Sequence, residues 1–144
     1  MAGLEKHLVI RKSQIPGAGK GLFTRVQIAR GERIAEYKGR IQRWVEVKHE
    51  DGHNGYLMRI SRQYVINGLN YKKAFARYAN DARGIAKIKG LHNNAEFVTD
   101  GKRCFLEAKR TIQKQEEILA GYGNEYWALI RKINRLSKKN DFGV

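Results

Sequence analysis

The chain has 144 residues, of single-domain size, and its 29 Lys and Arg against 14 Asp and Glu give a formal net charge of +15, a field that attracts polyanions and disfavours basic partners. Its apolar fraction is 42%, yet no uninterrupted apolar run approaches the roughly 18 residues that span a bilayer, so no membrane association is expected. One cysteine, Cys104, excludes an intrachain disulfide and a thiolate zinc cluster.

In chain order, "MAGLEKHLVIRKSQ" breaks its short apolar run with charges on both sides and lacks a secretory h-region, so the expected location is intracellular, in the cytoplasm or in the nucleoid or nucleus, and not secreted. "HLVI", "GLFT" and "RIAEY" read as short strands between glycines and polar turns. "IQRWVEVKHE" reads as a short helix with Trp44 on its apolar side. "YLMRI" and "YVI", separated by Ser61, Arg62 and Gln63, read as a hairpin, and "NYKKAFARYAND" as one or two helical turns. Further strands are expected at "AEFV", at "RCFLEA", where Cys104 is a small buried side chain, and at "EEILAGYG". Beyond them Tyr126, Leu129, Ile130, Ile133 and Leu136 recur with a period near 3.6 and predict a helix over about 125–138. Its trailing Lys and Arg suit the negative end of the helix dipole.

The class predicted is mostly β, many short strands closed by a C-terminal helix. Two features have two readings each. The surplus of positive charge is either a nucleic-acid contact surface or a solvated face that keeps the protein soluble. In "KKAFARYANDARG", the polar residues Asn80, Asp81 and Arg83 crowd the aromatic pair Phe75 and Tyr78. By residue type alone Asn80 and Asp81 form an Asx turn or a cap. His7, His49, His53 and His92 make no ligand set, so no metal is expected. Glu116 and Glu117 have no identifiable acid/base partner and are expected in the turn before the last strand.

Four stretches in order, "GAGKGLFT", "IARGERIAEYKGRI", "ARYAND" and "EEILAGYGNEYW", make the chain resemble the SET-domain protein lysine methyltransferases over residues 7 to about 127. The family pattern is G-x-G-L-F, then G-E-x-I-x-E-Y-x-G, then R-F-x-N-H-S, then E-E-L-x-x-x-Y-G. The resemblance implies a single SET domain over 1–144, built of small curved β-sheets with a pseudoknot-like threaded segment, and a turning inward of "ARYAND" to hold a cofactor. It implies S-adenosylmethionine as that cofactor and a protein lysine as substrate. Carried over residue by residue, Tyr122 is the catalytic tyrosine, Tyr37 lines the lysine channel and Tyr71 forms a third wall. Cofactor contacts fall to the backbone of Lys20 and Gly21, to the Arg77 and Tyr78 segment, to Asn80 and Asp81, and to Trp127 as a stacking partner. For Tyr37 and Trp127 a core-packing role is the alternative, and for Gly19 and Gly21 a plain turn.

There are departures. Asp81 stands where the family has His and Ala82 where it has Ser, while the usual P-N pair is "NN", Asn93 and Asn94, displaced downstream by "RGIAKIKGLH". No cysteine-rich segment follows "GYGNEYW", so closure is expected from the C-terminal helix or from Tyr126 or Trp127. Ala120, two residues before Tyr122, occupies a position that tunes the number of methyl groups in the family. The alternative to an enzyme is a noncatalytic basic nucleic-acid-binding module on a degenerate SET fold.

Overall fold

The computed structural model describes residues 4–50, 53–84 and 88–121. The expected C-terminal helix over 125–138, with Tyr122, Tyr126 and Trp127, lies outside the described residues. Among the described residues the strands are β1 (Leu8–Lys12), β2 (Lys20–Thr24), β3 (Arg33–Glu36), β4 (Arg40–Arg43), β5 (Leu57–Arg59), β6 (Tyr64–Asn67), β7 (Ala95–Asp100), β8 (Arg103–Ala108) and β9 (Glu117–Ile118), and one α-helical turn, α1, is Trp44–Val47. They form three antiparallel three-stranded sheets, ordered β1-β2-β9, β3-β8-β7 and β4-β6-β5. Each is too small to bury a face alone, so the core is shared among them. Leu22, Ile28, Ile34, Leu106, Ile112 and Ile118 are fully buried in one cluster, and each such side chain contributes about 1.5–3 kcal/mol on leaving water. Among the described residues no helix is long and apolar enough to cross a membrane.

Most expected strands form where the sequence places them, though "EEILAGYG" yields only the two-residue β9 with isolated bridges at Leu119 and Ala120 among its described residues, and the hairpin closes as anticipated, with Leu57 opposite Asn67 and Arg59 opposite Val65. The run "IQRWVEVKHE" is a correction. Ile41 and Gln42 pair with Ile66 and Val65 in β4, and helical backbone begins only at Trp44, passing into a 3-10 turn at Lys48–Glu50. A local helical pattern yields here because β6 offers a ladder of unpaired backbone groups to a segment that itself carries β-branched Ile41. Trp44 is half-buried, with the Arg59 guanidinium 4.3 Å from its ring centre. The stretch before the polar knot is helical only in single turns, closed by Tyr71 N–H to the Gly68 carbonyl, Ala74 N–H to the Tyr71 carbonyl, and the 3-10 turn Ala76–Tyr78.

What joins the sheets is the short segment 117–120. On one edge it pairs with β2, Leu22 opposite Ile118 and Phe23 opposite Glu117. Asn80 bridges Leu119 and Ala95 bridges Ala120, both in parallel. Asn94, 1% exposed, grips the same segment with its whole amide. Its Oδ1 accepts from Leu119 N–H at 2.8 Å, its Nδ2 donates to the Glu117 carbonyl at 2.8 Å and to Glu116 Oε2 at 2.7 Å, and its own N–H donates to the Leu119 carbonyl at 2.9 Å. Only one orientation of the carboxamide satisfies both a carbonyl and an N–H, so the residue acts as a miniature strand edge.

Asn94→Ala strands the Leu119 N–H and the Glu117 carbonyl in the core, and urea unfolding is expected to show a loss of roughly 2–5 kcal/mol, since each orphaned buried group costs about 1–3. A loss below about 1 kcal/mol would mean that water or a neighbour replaces the amide. Cys104 in β8 is fully buried, and burial, aided by the Glu36 charge, pushes its thiol up from 9.0 to about 11. The unfolded thiol ionises first, so stability is intact below pH 9.0 and declines as pH rises towards about 11. Relative to Cys104→Ala, the wild-type chain should lose stability across that window in pH-dependent denaturation. An unchanged difference would show that the thiol is not held neutral.

Candidate functional site

The glycine-rich loop 13–19 joins β1 to β2 and is shaped by a buried carboxylate from far along the chain. Glu117, 1% exposed, accepts from Ser13 Oγ at 2.7 Å through Oε2 and from Gln14 N–H at 3.1 Å through Oε1. Ser13 Oγ in turn accepts from Ile15 N–H at 3.1 Å, and Ser13 N–H donates to the Gly19 carbonyl at 2.8 Å. These bonds supply what a carboxylate needs once it leaves water. They also explain Gly21. A Cβ there would press into Glu117 Oε2 and lie 3.1 Å from Ser13 Cβ, so glycine is required by close approach rather than by a turn. Gly17 and Gly19 are the turn residues, with φ of +79° and +71° and open space where a Cβ would stand.

At the knot, Asn80 ties the loop to the last described segment. Its Nδ2 donates to the Lys20 carbonyl at 2.9 Å, and its own carbonyl accepts from Ala120 N–H at 2.9 Å. Asp81 is 5% exposed, and its Oδ1 accepts from Arg83 N–H at 2.8 Å and from Asn93 Nδ2 at 2.9 Å. The first bond is the Asx turn that residue type alone predicts. The second has a return partner, Ala82 N–H to Asn93 Oδ1 at 2.8 Å, which locks 81–82 onto Asn93. Gly121 lies against the same pair, its Cβ position 3.5 Å from Asn93 Nδ2 and 4.0 Å from Asp81 Oδ2. Residues 17–21, 80–82, 93–94 and 117–121 thus converge, immediately before Tyr122.

The other candidates are held by a second set of contacts, around Tyr56 and loop 68–74. Tyr37 is 4% exposed, sets its ring edge-on to Phe97 with centroids 5.8 Å apart, and donates its hydroxyl to the Tyr56 carbonyl at 2.9 Å. Arg77 stacks its guanidinium 3.8 Å from the Tyr56 ring centre and 5.1 Å from that of Tyr78, and donates through Nη1 to the Gly68 and Leu69 carbonyls at 2.7 and 2.8 Å. Tyr78 donates its hydroxyl to the Lys72 carbonyl. The Arg77 and Tyr78 side chains therefore fasten the loop 68–74. Tyr71 is 44% exposed and stands on that loop, lining a cleft of about 440 Å³ instead of a buried wall. Lys20 is exposed with its carbonyl engaged by Asn80, and Gly21 is buried. Tyr122 and Trp127 lie outside the described residues.

Glu117 is a correction: it lies in β9 rather than in the turn before it, with Ser13 and Gln14 as partners. A separation of 104 residues leaves no local signal for this pairing. Asn93 and Asn94 were visible only as a displaced motif pair, and their roles as lock and clamp needed the fold. Among the described residues no group of three or more His, Cys, Asp or Glu could hold a metal ion.

A family model described as the SET domain matches residues 19–123. Over 118 residues the chain is 28% identical to the histone-lysine N-methyltransferase set-17 of Caenorhabditis elegans, a match that covers 81% of this chain and 41% of that protein. The chain thus spans about two fifths of the relative's length.

The Glu117–Gly21 contact generates a coupling test. Gly21→Ala should destabilise by about 1–3 kcal/mol through overpacking, and much less in a Glu117→Ala background, where the obstructing carboxylate is gone. A double-mutant cycle read by thermal or urea unfolding is expected to give a coupling of about 0.5–3 kcal/mol. Additive effects would mean that Gly21 is required for some other reason.

Proposed function

The chain belongs to the SET-domain family, and from that premise we propose that it is an S-adenosylmethionine-dependent protein-lysine N-methyltransferase. The observation that carries this reading is the convergence of the glycine loop, the Asn80 knot, the Asn93–Asn94 pair and the 117–121 segment through backbone-directed bonds. The likeness to a histone-lysine methyltransferase adds support from outside the structure.

The residues present fit the cofactor. At Gly17 and Gly19 nothing lies within 4 Å of a Cβ position, so backbone there is open to a ligand. The Asn80 amide is engaged through its nitrogen, and its oxygen has no partner among the described residues. Lys20 and Gly21 through their backbone, Asn80 through that oxygen, and the Asp81 and Trp127 positions would hold it, with the Arg77 and Tyr78 segment contributing backbone only, since both side chains brace loop 68–74. When bound, S-adenosylmethionine supplies an electrophilic methyl group on a sulfonium.

The chain's own task is to present a neutral lysine amine. Having it neutral at pH 7 costs about 4.6 kcal/mol from an unperturbed pKa near 10.4. A field of +15 and an apolar channel both lower that cost. The Tyr37 hydroxyl is fixed in direction by its bond to the Tyr56 carbonyl, and a hydroxyl so held is assigned the first orienting role towards the amine. Tyr122 is assigned the second orienting hydroxyl. Most of the acceleration then comes from alignment, for which effective molarities reach ~10⁵ M and above.

Titration calorimetry tests the cofactor, and tritiated methyl transfer onto a basic or acidic protein tests the reaction. Asn80→Ala should weaken S-adenosylmethionine binding by about 1–3 kcal/mol. Tyr122→Phe should keep fold and cofactor affinity while turnover drops by ~10² to 10³. No binding heat at millimolar cofactor would instead favour a noncatalytic basic module, and a Tyr122→Phe variant as fast as wild type would remove that residue from the mechanism.

A further inference from the structure

The cleft on loop 68–74 is lined by Lys38, Asn70, Tyr71, Lys72, Lys73 and Ala74 and encloses about 440 Å³. Among the described residues its three lysines share a single counter-charge. Lys38 has Glu5 at 3.9 Å, and neither Lys72 nor Lys73 has an ion-pair partner among the described residues. The neighbouring hollow beside Glu5, Arg33, Glu36 and Arg103 is the contrast. There Arg103 grips Glu36 through two bonds of 2.9 and 3.0 Å, and Arg33 meets Glu107 at 2.8 Å and Asp100 at 3.5 Å. One concavity neutralises itself; the other does not.

The loop that carries the lysines is also built to stay in place. Arg77 holds its start by the Gly68 and Leu69 carbonyls, Tyr78 holds its middle by the Lys72 carbonyl, and the Tyr71 and Ala74 amides close internal turns. A preorganised loop loses little side-chain and backbone freedom when a partner docks. The cleft adjoins the candidate lysine channel. Lys38 follows Tyr37 directly, and a Cβ at Gly68 would stand 3.4 Å from the Tyr37 hydroxyl oxygen.

We propose that this cleft receives an acidic stretch of the protein substrate, one to a few residues from its target lysine. The inference rests on the methyltransferase reading for the lysine itself, while the charge selection belongs to the cleft. Residues flanking a lysine lie about 3.3–3.6 Å apart in an extended chain, so side chains close in sequence to the target lysine are the ones placed to enter a cleft that begins at Lys38, next to Tyr37. A concavity of this size suits one or two carboxylate side chains against an exposed tyrosine ring. A nucleic-acid duplex presents evenly spaced phosphates and needs cations arrayed along a broad surface, whereas here three lysines share one local cleft with an exposed tyrosine.

The test is fluorescence anisotropy with labelled peptides of equal length, each holding one lysine flanked by Asp and Glu, by Ser and Gly, or by Arg, and with a labelled DNA duplex. The proteins are the full chain, Lys72→Glu/Lys73→Glu, and Lys72→Ala/Lys73→Ala in case reversal disturbs folding, each checked by a thermal melt. The wild-type chain should bind the acidic peptide ~10-fold more tightly than the neutral one at low salt, with the basic peptide weakest, and charge reversal should invert that order. The alanine pair should abolish the preference without changing S-adenosylmethionine affinity measured on the same samples. Equal binding of the three peptides, or an acidic preference that survives both double variants, overturns the proposal. So does a loss of duplex binding in those variants with acidic-peptide binding unchanged, which would make the loop a nucleic-acid surface. A chain that prefers the acidic peptide yet binds no S-adenosylmethionine sinks the methyltransferase reading and leaves the cleft standing; the reverse pattern sinks the cleft alone.

Discussion

Segment 117–120 has strand-like neighbours on both sides, and every one of them comes from a different part of the chain. β2 pairs with its first two residues, Asn80 accepts from Ala120, and Asn94 supplies a carboxamide that accepts from one amide and donates to one carbonyl. Backbone groups in a buried segment must all find partners, and here they find them in loops whose sequence positions lie some distance apart. Three sheets of three strands could not otherwise share one core. The geometry of everything near Gly121 follows from this grip.

From it the functional arrangement is built outward in two directions. Towards the N-terminal sheet, the Glu117 side chain takes the space where Gly21 would have a Cβ and holds Ser13 and Gln14, so the glycine loop is positioned by the same residue that begins β9. Towards the third sheet, Arg77 and Tyr78 convert the stretch ahead of the knot into a platform for loop 68–74. The guanidinium is flanked by the Tyr56 and Tyr78 rings, and the Tyr56 carbonyl in turn takes the Tyr37 hydroxyl proton. A single polar and aromatic chain thus connects the candidate channel to the basic cleft. Arginine suits this position because its planar fork stacks and donates at once.

The strands were legible because short alternating apolar runs have few other uses, and "RCFLEA" and "YVI" sit in β8 and β6 as their composition predicts. Ile41 was misread since its local pattern does not register β6, the neighbour that recruits it. Residue type alone gives Asp81 its Asx turn, and the structure adds a bond to Asn93 that no local rule anticipates. Ser13 and Glu117 were invisible as a pair because hydrogen bonding across 104 residues leaves no spacing signature. Ordered motifs carried the convergence of the Asn80 and 117–121 segments into view where periodicity alone could not. The use of Arg77 to brace a loop was hidden for the opposite reason: a motif position suggests one role and says nothing of the carbonyls that reach it in space.

If the knot is the frame on which S-adenosylmethionine is held, ligand binding must tighten that frame before it affects anything remote. Hydrogen–deuterium exchange with and without the cofactor reads this directly, since local opening of turns and loops governs amide exchange. The expected result is added protection in peptides covering 14–21 and 79–83, with 117–121 following, and little change in β5 and β6. Cofactor-dependent protection confined to other parts of the chain, with 14–21 and 79–83 exchanging as before, would contradict it.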